Sequence, residues 1–327
     1  MFNFDVARYE KVLGDALALR PQIEVAADEI CKAGYSNIFF IGCGGTYAHS
    51  LPLKYMLDTQ SDIESHCMIA AEFMLMGHRR FTKDSVCVFS TRSGNTKEIV
   101  AAAKFCKDAG ARVVMYVSNA NTPACEYADY LLHSFAEDDC LAEAIYLTNI
   151  PFTARMMYNA GAFQAYDRFM DQLGKVAPYF VKAKEQYEDR CKAMAERHKD
   201  TDYHMVIGSG NVWGEAYDYA MCILEEMQWI KTKSTLELVE EDTSLILFYG
   251  EDETRPLMDR VMNFSKNVTK EINVFDTKEV ALPLDEDLRK FISPVVIYVI
   301  TERLSCHLEH VRNHPLTTRR YYRQMEY

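Results

Sequence analysis

Two turns rich in glycine and hydroxyl residues, and one pair of adjacent glutamates, are the parts of this sequence best suited to chemistry. The turns are Cys43-Gly44-Gly45-Thr46 and Thr91-Arg92-Ser93-Gly94-Asn95-Thr96. Each lies between a short apolar run and a helical stretch. There, glycine lets the backbone approach a ligand, free N–H groups at the helix start point at it, and hydroxyls add donors, so the setting suits an anion. Taken singly, each turn also reads as an ordinary strand-to-helix connection with an N-cap. The first is not a Walker A loop, because no Gly-Lys-Ser/Thr follows. It is not a dinucleotide fingerprint either, because the third glycine is missing. The glutamates are Glu225 and Glu226, set among Tyr217, Tyr219, Met221, Cys222, Ile223, Leu224, Met227, Trp229 and Ile230. A helix apolar almost all round is expected to be buried. A buried carboxylate is costly unless it is paired or used. The alternative is a solvated edge or an interface, and periodicity does not choose between the two residues.

The elements that position these groups follow from hydrophobic spacing. Residues 8–34 read as a helix stopped by Gly34, and 37–41 as a strand running into the first turn. Residues 85–90 form a strand entering the second turn and a helix over 97–109. Strands follow at 112–117 and 130–133. The pattern then resets, with a helix over 185–199, a strand over 203–207, the turn Gly208-Ser209-Gly210-Asn211 and a helix over 215–230. Strands over 244–249 and 271–275 flank a helix over 254–267. Residues 292–312 are rich in β-branched residues, but Ile292, Val295, Val296, Val299, Ile300 and Leu304 fall at helical spacing, so a helix is expected. Alternating strands and helices imply α/β architecture with mostly parallel sheets covered on both faces. The glycine turns at Gly42 and Gly208 suggest an internal duplication, with halves at 1–175 and 176–327.

Composition agrees. At 327 residues, with 49% hydrophobic and 26% charged residues, the chain suits two α/β halves. A net charge of −12 argues against a general nucleic-acid or membrane-surface role. No signal peptide is legible at the start, and the apolar run 295–300 is too short to span a bilayer. The ten cysteines form no Cys-x-x-Cys pair and no Cys/His metal pattern, which reads as reduced thiols in a cytoplasmic protein. None of the nine histidines has metal-ligand spacing, so no metal site is expected.

Cys43-Gly44-Gly45-Thr46-Tyr47 resembles the first phosphate turn of sugar isomerase (SIS) domains. Ser90-Thr91-Arg92-Ser93-Gly94-Asn95-Thr96-Lys97-Glu98 resembles the second, with Asn95 replacing the usual glutamate. The resemblance implies two tandem SIS domains of flavodoxin-like, three-layer form, with Gly45, Thr46, Thr91, Ser93 and Thr96 as phosphate ligands. Arg92 either adds a charge-assisted contact or faces solvent. Glu226-Met227-Gln228-Trp229-Ile230 is similar to the catalytic helix of the fructosamine-6-phosphate deglycases, which makes Glu226 the implied base. The run from His314 to Tyr321, with Glu326-Tyr327, resembles their tail. Implied with it are conversion of a 6-phosphofructosyl amino acid to glucose 6-phosphate and free amino acid without a cofactor, and a homodimer with its site near the interface. An aldose–ketose isomerase, and a non-catalytic sugar-phosphate-binding regulator, remain as alternatives.

Two departures stand out. The family carries a Glu-Phe-x-His-Gly loop, whose histidine is the second catalytic group, at the point where Ser234 here meets Thr235. Either the protein lacks the loop and binds without turnover, or the sequence in hand leaves it out. Intact family-like text on both flanks favours the second. Near residue 142, where many relatives have Ser-Thr-Lys against the sugar, this chain has Ala142-Glu143-Ala144.

Overall fold

The structure is a computed structural model describing residues 1–137, 139–233, 238–321 and 324–325. The Ser234–Thr235 junction and the closing Glu326-Tyr327 lie outside the described residues. The chain divides into two compact units: Val6–Ala177, and Pro178–Tyr327 together with Met1–Asp5.

In the first unit, strands β1 (Asn37–Gly42), β2 (Ser65–Ile69), β3 (Ser85–Thr91), β4 (Arg112–Val117) and β5 (Tyr130–His133) form a sheet in the order β2-β1-β3-β4-β5. Every pairing is parallel. β1 and β3 are buried along their whole length, as central parallel strands covered on both faces should be, and this explains their unbroken apolar runs. The order is the flavodoxin-like one, whose switch point lies between β1 and β3.

The structure departs from the sequence reading in several places here, among them the unforeseen helices Ala70–Met76 and Tyr166–Leu173. The single helix expected over 8–34 is two, Val6–Leu17 and Arg20–Ala33, because Pro21 stands in the first turn of the second and restarts the helix. Gly34, at φ +81°, ends it as expected. Strand β2 was not foreseen: it is a sheet edge, and Ser65 and His66 interrupt its apolar character. The helix Leu141–Asn159 was also missed. It is buried on nearly every side from Ala142 to Met157, so no amphipathic stripe marks it.

The second unit repeats the plan. Strands β6 (Tyr203–Gly208), β7 (Lys231–Lys233), β8 (Ser244–Tyr249) and β9 (Ile272–Asp276) pair in parallel in the order β7-β6-β8-β9, matching β2-β1-β3-β4 of the first sheet. The first strand of each unit, β1 and β6, ends in a glycine with no room for a side chain. A Cβ on Gly42 would lie 2.4 Å from the Tyr47 nitrogen, and one on Gly208 would lie 2.8 Å from the Val212 carbonyl oxygen. The helix Ser293–Val311 confirms the helical reading of that β-branched segment. The stretch Glu286–Val311 is long and apolar enough to cross a membrane by length and composition, beyond the short run 295–300 noted above. However, 83% of its apolar 18-residue window is buried inside the protein, as in a core helix.

His204 on β6 ties the second sheet to acid stability. It is 1% exposed, and its Nδ1 lies 2.8 Å from the Ser244 hydroxyl on β8. Burial, then the like charges of His198 and Arg312, depress its pKa from 6.5 to about 3. The unfolded chain therefore binds a proton that the folded chain refuses between these two values. The contribution is fully present above pH 6.5 and is lost as pH falls towards 3. Melting temperature should decline through that window, and His204→Gln should make the decline shallower. An unchanged slope in thermal melts would contradict this.

Candidate active site

The two glycine–hydroxyl turns leave the C-terminal ends of adjacent strands. β1 and β3 pair from Asn37↔Ser85 to Ile41↔Phe89, so the turns flank the point where strand order reverses, the usual ligand crevice of open α/β sheets. In the first turn Gly44 takes φ +55°. The Thr46 hydroxyl donates to the Cys43 carbonyl (3.1 Å) and accepts from the Cys43 N–H (3.0 Å), locking the loop. Gly45 and Thr46 are half-buried and open the short helix Gly45–Ala48, whose first bonds run from the Tyr47 and Ala48 N–H groups to the Gly44 carbonyl.

The second turn is held more firmly. Gly94 has φ +61°, and a Cβ there would fall 1.8 Å from the Thr122 hydroxyl oxygen, so only glycine fits. Its N–H donates to the Thr91 hydroxyl (3.2 Å), and its carbonyl accepts from the Ala124 N–H (3.0 Å). Behind it, the Asn149 amide donates to the Ser90 hydroxyl (2.8 Å) from the buried helix Leu141–Asn159. Thr91 is buried, Ser93 and Thr96 are half-buried, and Arg92 is exposed. Thr96 stands at the N-cap of the helix Lys97–Asp108 in extended backbone, yet its hydroxyl does not cap that helix. A good capping residue that leaves its cap unmade keeps a donor available at a helix N-terminus. Gly45, Thr46, Thr91, Ser93 and Thr96 are thus gathered on two neighbouring turns of one unit. Glu143, in the segment that departs from the family, is fully buried and accepts from the Tyr9 hydroxyl (2.9 Å).

The matching crevice of the second unit is filled from within. Asp252 is 7% exposed and accepts from the Asn211 N–H (2.8 Å), the Thr254 N–H (3.1 Å) and the Thr254 hydroxyl (2.7 Å). A carboxylate of the chain itself thus bridges the turns that follow β6 and β8, which makes the pair of turns in the first unit the candidate anion cradle.

The second unit carries the glutamate pair. The continuous helix expected over 215–230 is instead an α-helical segment Trp213–Asp218, a π-helical turn Tyr219–Glu225 and a last α turn Glu226–Gln228. It ends before Ile230 because Trp229 adopts the left-handed conformation (φ +58°). π-turns widen a helix locally and are frequent at functional sites. This one ends at Glu225, and Glu226 opens the last α turn. Glu225 accepts from the Thr232 N–H (3.0 Å) and hydroxyl (2.7 Å) and so anchors the edge strand β7. Glu226 points elsewhere: its side chain is 42% exposed and lies 3.0 Å from Nε of Arg319. Desolvation raises its pKa, Asp218 adds to the rise, and Arg319 opposes it. Of the two carboxylates, Glu225 is tied to β7 and Glu226 faces Arg319, a distinction that periodicity did not make. Arg319 lies in the tail that resembles the deglycases, but the sequence reading gave it no role of its own.

If the candidate cradle holds a phosphate, Ser93→Ala and Thr96→Ala should each weaken phosphosugar binding by about 1.5–3 kcal/mol, the worth of a hydrogen bond to a charged group. Titration calorimetry with fructose 6-phosphate reads this directly. Unchanged affinity in both variants would place the phosphate elsewhere.

Comparison with known proteins agrees with this geometry. Residues 30–158 match the SIS domain model. Fructosamine deglycase FrlB of Bacillus subtilis is 32% identical over 306 residues, covering 89% of this chain and 92% of the relative. Fructoselysine 6-phosphate deglycase of Escherichia coli K12 is 21% identical over 97% of this chain and 93% of that protein. A solved Bacillus subtilis structure, provisionally assigned as a phosphosugar isomerase, superposes with a TM-score of 0.89 at 26% identity, covering 95% of this chain and 99% of the other. With so much of both chains aligned, this protein belongs to the SIS-domain family of sugar-phosphate enzymes that includes the fructosamine deglycases.

Proposed function

We propose that the protein is a deglycase that converts a 6-phosphofructosyl amino acid and water into glucose 6-phosphate and the free amino acid. The observation that carries this reading is the division of labour between the glutamates: Glu225 is committed to β7, while Glu226 keeps a partly desolvated carboxylate with a raised pKa. Such a group is suited to proton transfer near neutral pH.

In this reading the first unit's turns hold the phosphate through the Gly45 and Thr46 backbone and the Thr91, Ser93 and Thr96 hydroxyls. Arg92, exposed beside them, adds long-range attraction to a dianion. Glu226 removes a proton from C1, and the electrons move into the C2 carbonyl to give an enaminol. Reprotonation at C2 gives the imine of glucose 6-phosphate, which water hydrolyses to the aldehyde and the amine. The carbonyl and the amine supply the electron sink, so the scheme calls for no metal or redox cofactor. In the family, the partner acid/base is the histidine of a Glu-Phe-x-His-Gly loop, which is not present in this sequence, where Ser234 is followed directly by Thr235. The same reading includes a cytoplasmic homodimer.

One observation favours a second reading. If Ser234–Thr235 is a true junction in the gene, the histidine is missing and the protein is a sugar-phosphate-binding regulator. The coding sequence across that junction separates the two.

The glutamates supply the direct test. Glu226→Gln should lower release of glucose 6-phosphate from 6-phosphofructoselysine by roughly 10²–10⁴-fold, the range for loss of a general base. Glu225→Gln should retain the chemistry and lose stability, since it loosens β7. Equal loss of turnover in both, or loss only at Glu225, would overturn the assignment.

A further inference from the structure

The C-terminal segment after the helix Ser293–Val311 is fastened to the end of the glutamate helix at several points. The Gln228 side-chain amide donates to the His314 carbonyl (2.8 Å). The His314 ring packs edge-on against Trp229, with centroids 4.6 Å apart, and the Arg320 guanidinium sits 4.3 Å over the same indole. The Leu316 N–H donates to the Glu309 carboxylate (3.0 Å). Arg319 is held in turn: its Nη1 donates to the carbonyls of Leu316 and Thr318, which leaves its Nε aimed at Glu226.

An ordinary surface ion pair is worth little, because both side chains must be ordered and water screens them. This pair differs on the arginine side. The Arg319 side chain is 18% exposed, and its orientation is already set by backbone carbonyls. We propose that Arg319 is a positioning residue for the candidate base, holding the Glu226 carboxylate ionised and oriented, and that the C-terminal segment is thereby part of the catalytic apparatus. The inference rests on the reading of Glu226 as the base.

The charged groups that face Glu226 define what Arg319 must do. Asp218, earlier on the same interrupted helix, repels a second negative charge, and burial disfavours it further. Glu225 is turned to Thr232, and Arg320 and His314 are engaged with Trp229. Among the described residues, Arg319 is the cation in contact with the carboxylate. With it removed, both remaining influences favour the protonated acid, which cannot act as a base.

The test is the pH dependence of kcat/KM for deglycation in full-length wild type, Arg319→Gln, Arg319→Lys and Glu226→Gln. Arg319→Gln should move the acid limb of the profile to higher pH, so that its deficit is largest in acid and shrinks towards alkaline pH. Arg319→Lys keeps the charge and should restore most of the limb, and it covers the case in which the glutamine variant fails to fold. A loss that is independent of pH and equal in both variants would reduce Arg319 to a structural tie. An unchanged profile in Arg319→Gln would also overturn the proposal. If instead Glu226→Gln is fully active, the base assignment fails first and takes this inference with it. An inactive Glu226→Gln beside an unshifted Arg319→Gln overturns the role of Arg319 alone.

Discussion

The candidate site depends on a steric constraint: at Gly42 and Gly94 the chain has no room for a side chain. At Gly42 the following turn folds back to within 2.4 Å of where a Cβ would be, and at Gly94 the Thr122 hydroxyl fills that space. These closures bring two strand-to-helix turns side by side at the ends of β1 and β3. Those turns lie where strand order reverses, the usual ligand crevice of open α/β sheets. In the proposed reading, sheet, glycines and helix starts together take the part that a cluster of lysines would take elsewhere. The arrangement suits a chain with a net charge of −12, whose overall field offers an anion no help.

The duplication shows how one plan serves two purposes. Both sheets share a strand order over four strands, and β1 and β6 both end in a crowded glycine. In the second unit the buried carboxylate of Asp252 bridges the two turns by accepting from Asn211 and Thr254. That unit is specialised in its crossover from β6 to β7, where Glu225 faces Thr232 and Glu226 faces the C-terminal segment.

Much of this was legible from residues alone, for physical reasons. β1, β3 and β4 are buried on both faces and therefore read as apolar runs, and the turns that follow them carry the glycine and hydroxyl signature directly. The helix Leu141–Asn159 was not legible, because a helix buried on all sides has no period to detect. β2 and β7 are edges with mixed polarity, and β7 has only three residues. The π-turn leaves no mark in the hydrophobic pattern, since the same residues are buried whether the helix closes by four or by five. Choosing between Glu225 and Glu226 required knowing where Thr232 and Arg319 lie, and both contacts are tertiary. The resemblance to the deglycases had named Glu226, and the two contacts show how the neighbouring carboxylates differ in surroundings.

The functional account turns on the fate of the C1 protons, which a labelled substrate follows directly. A 6-phosphofructosyl amino acid carrying two deuterons at C1 is incubated with the protein, and the sugar phosphate released is examined by NMR. The enaminol route predicts glucose 6-phosphate with one deuteron at C1, the other having been removed in the proton-abstraction step. Release of fructose 6-phosphate with both C1 deuterons in place would mean direct cleavage of the C–N bond, and would contradict the account.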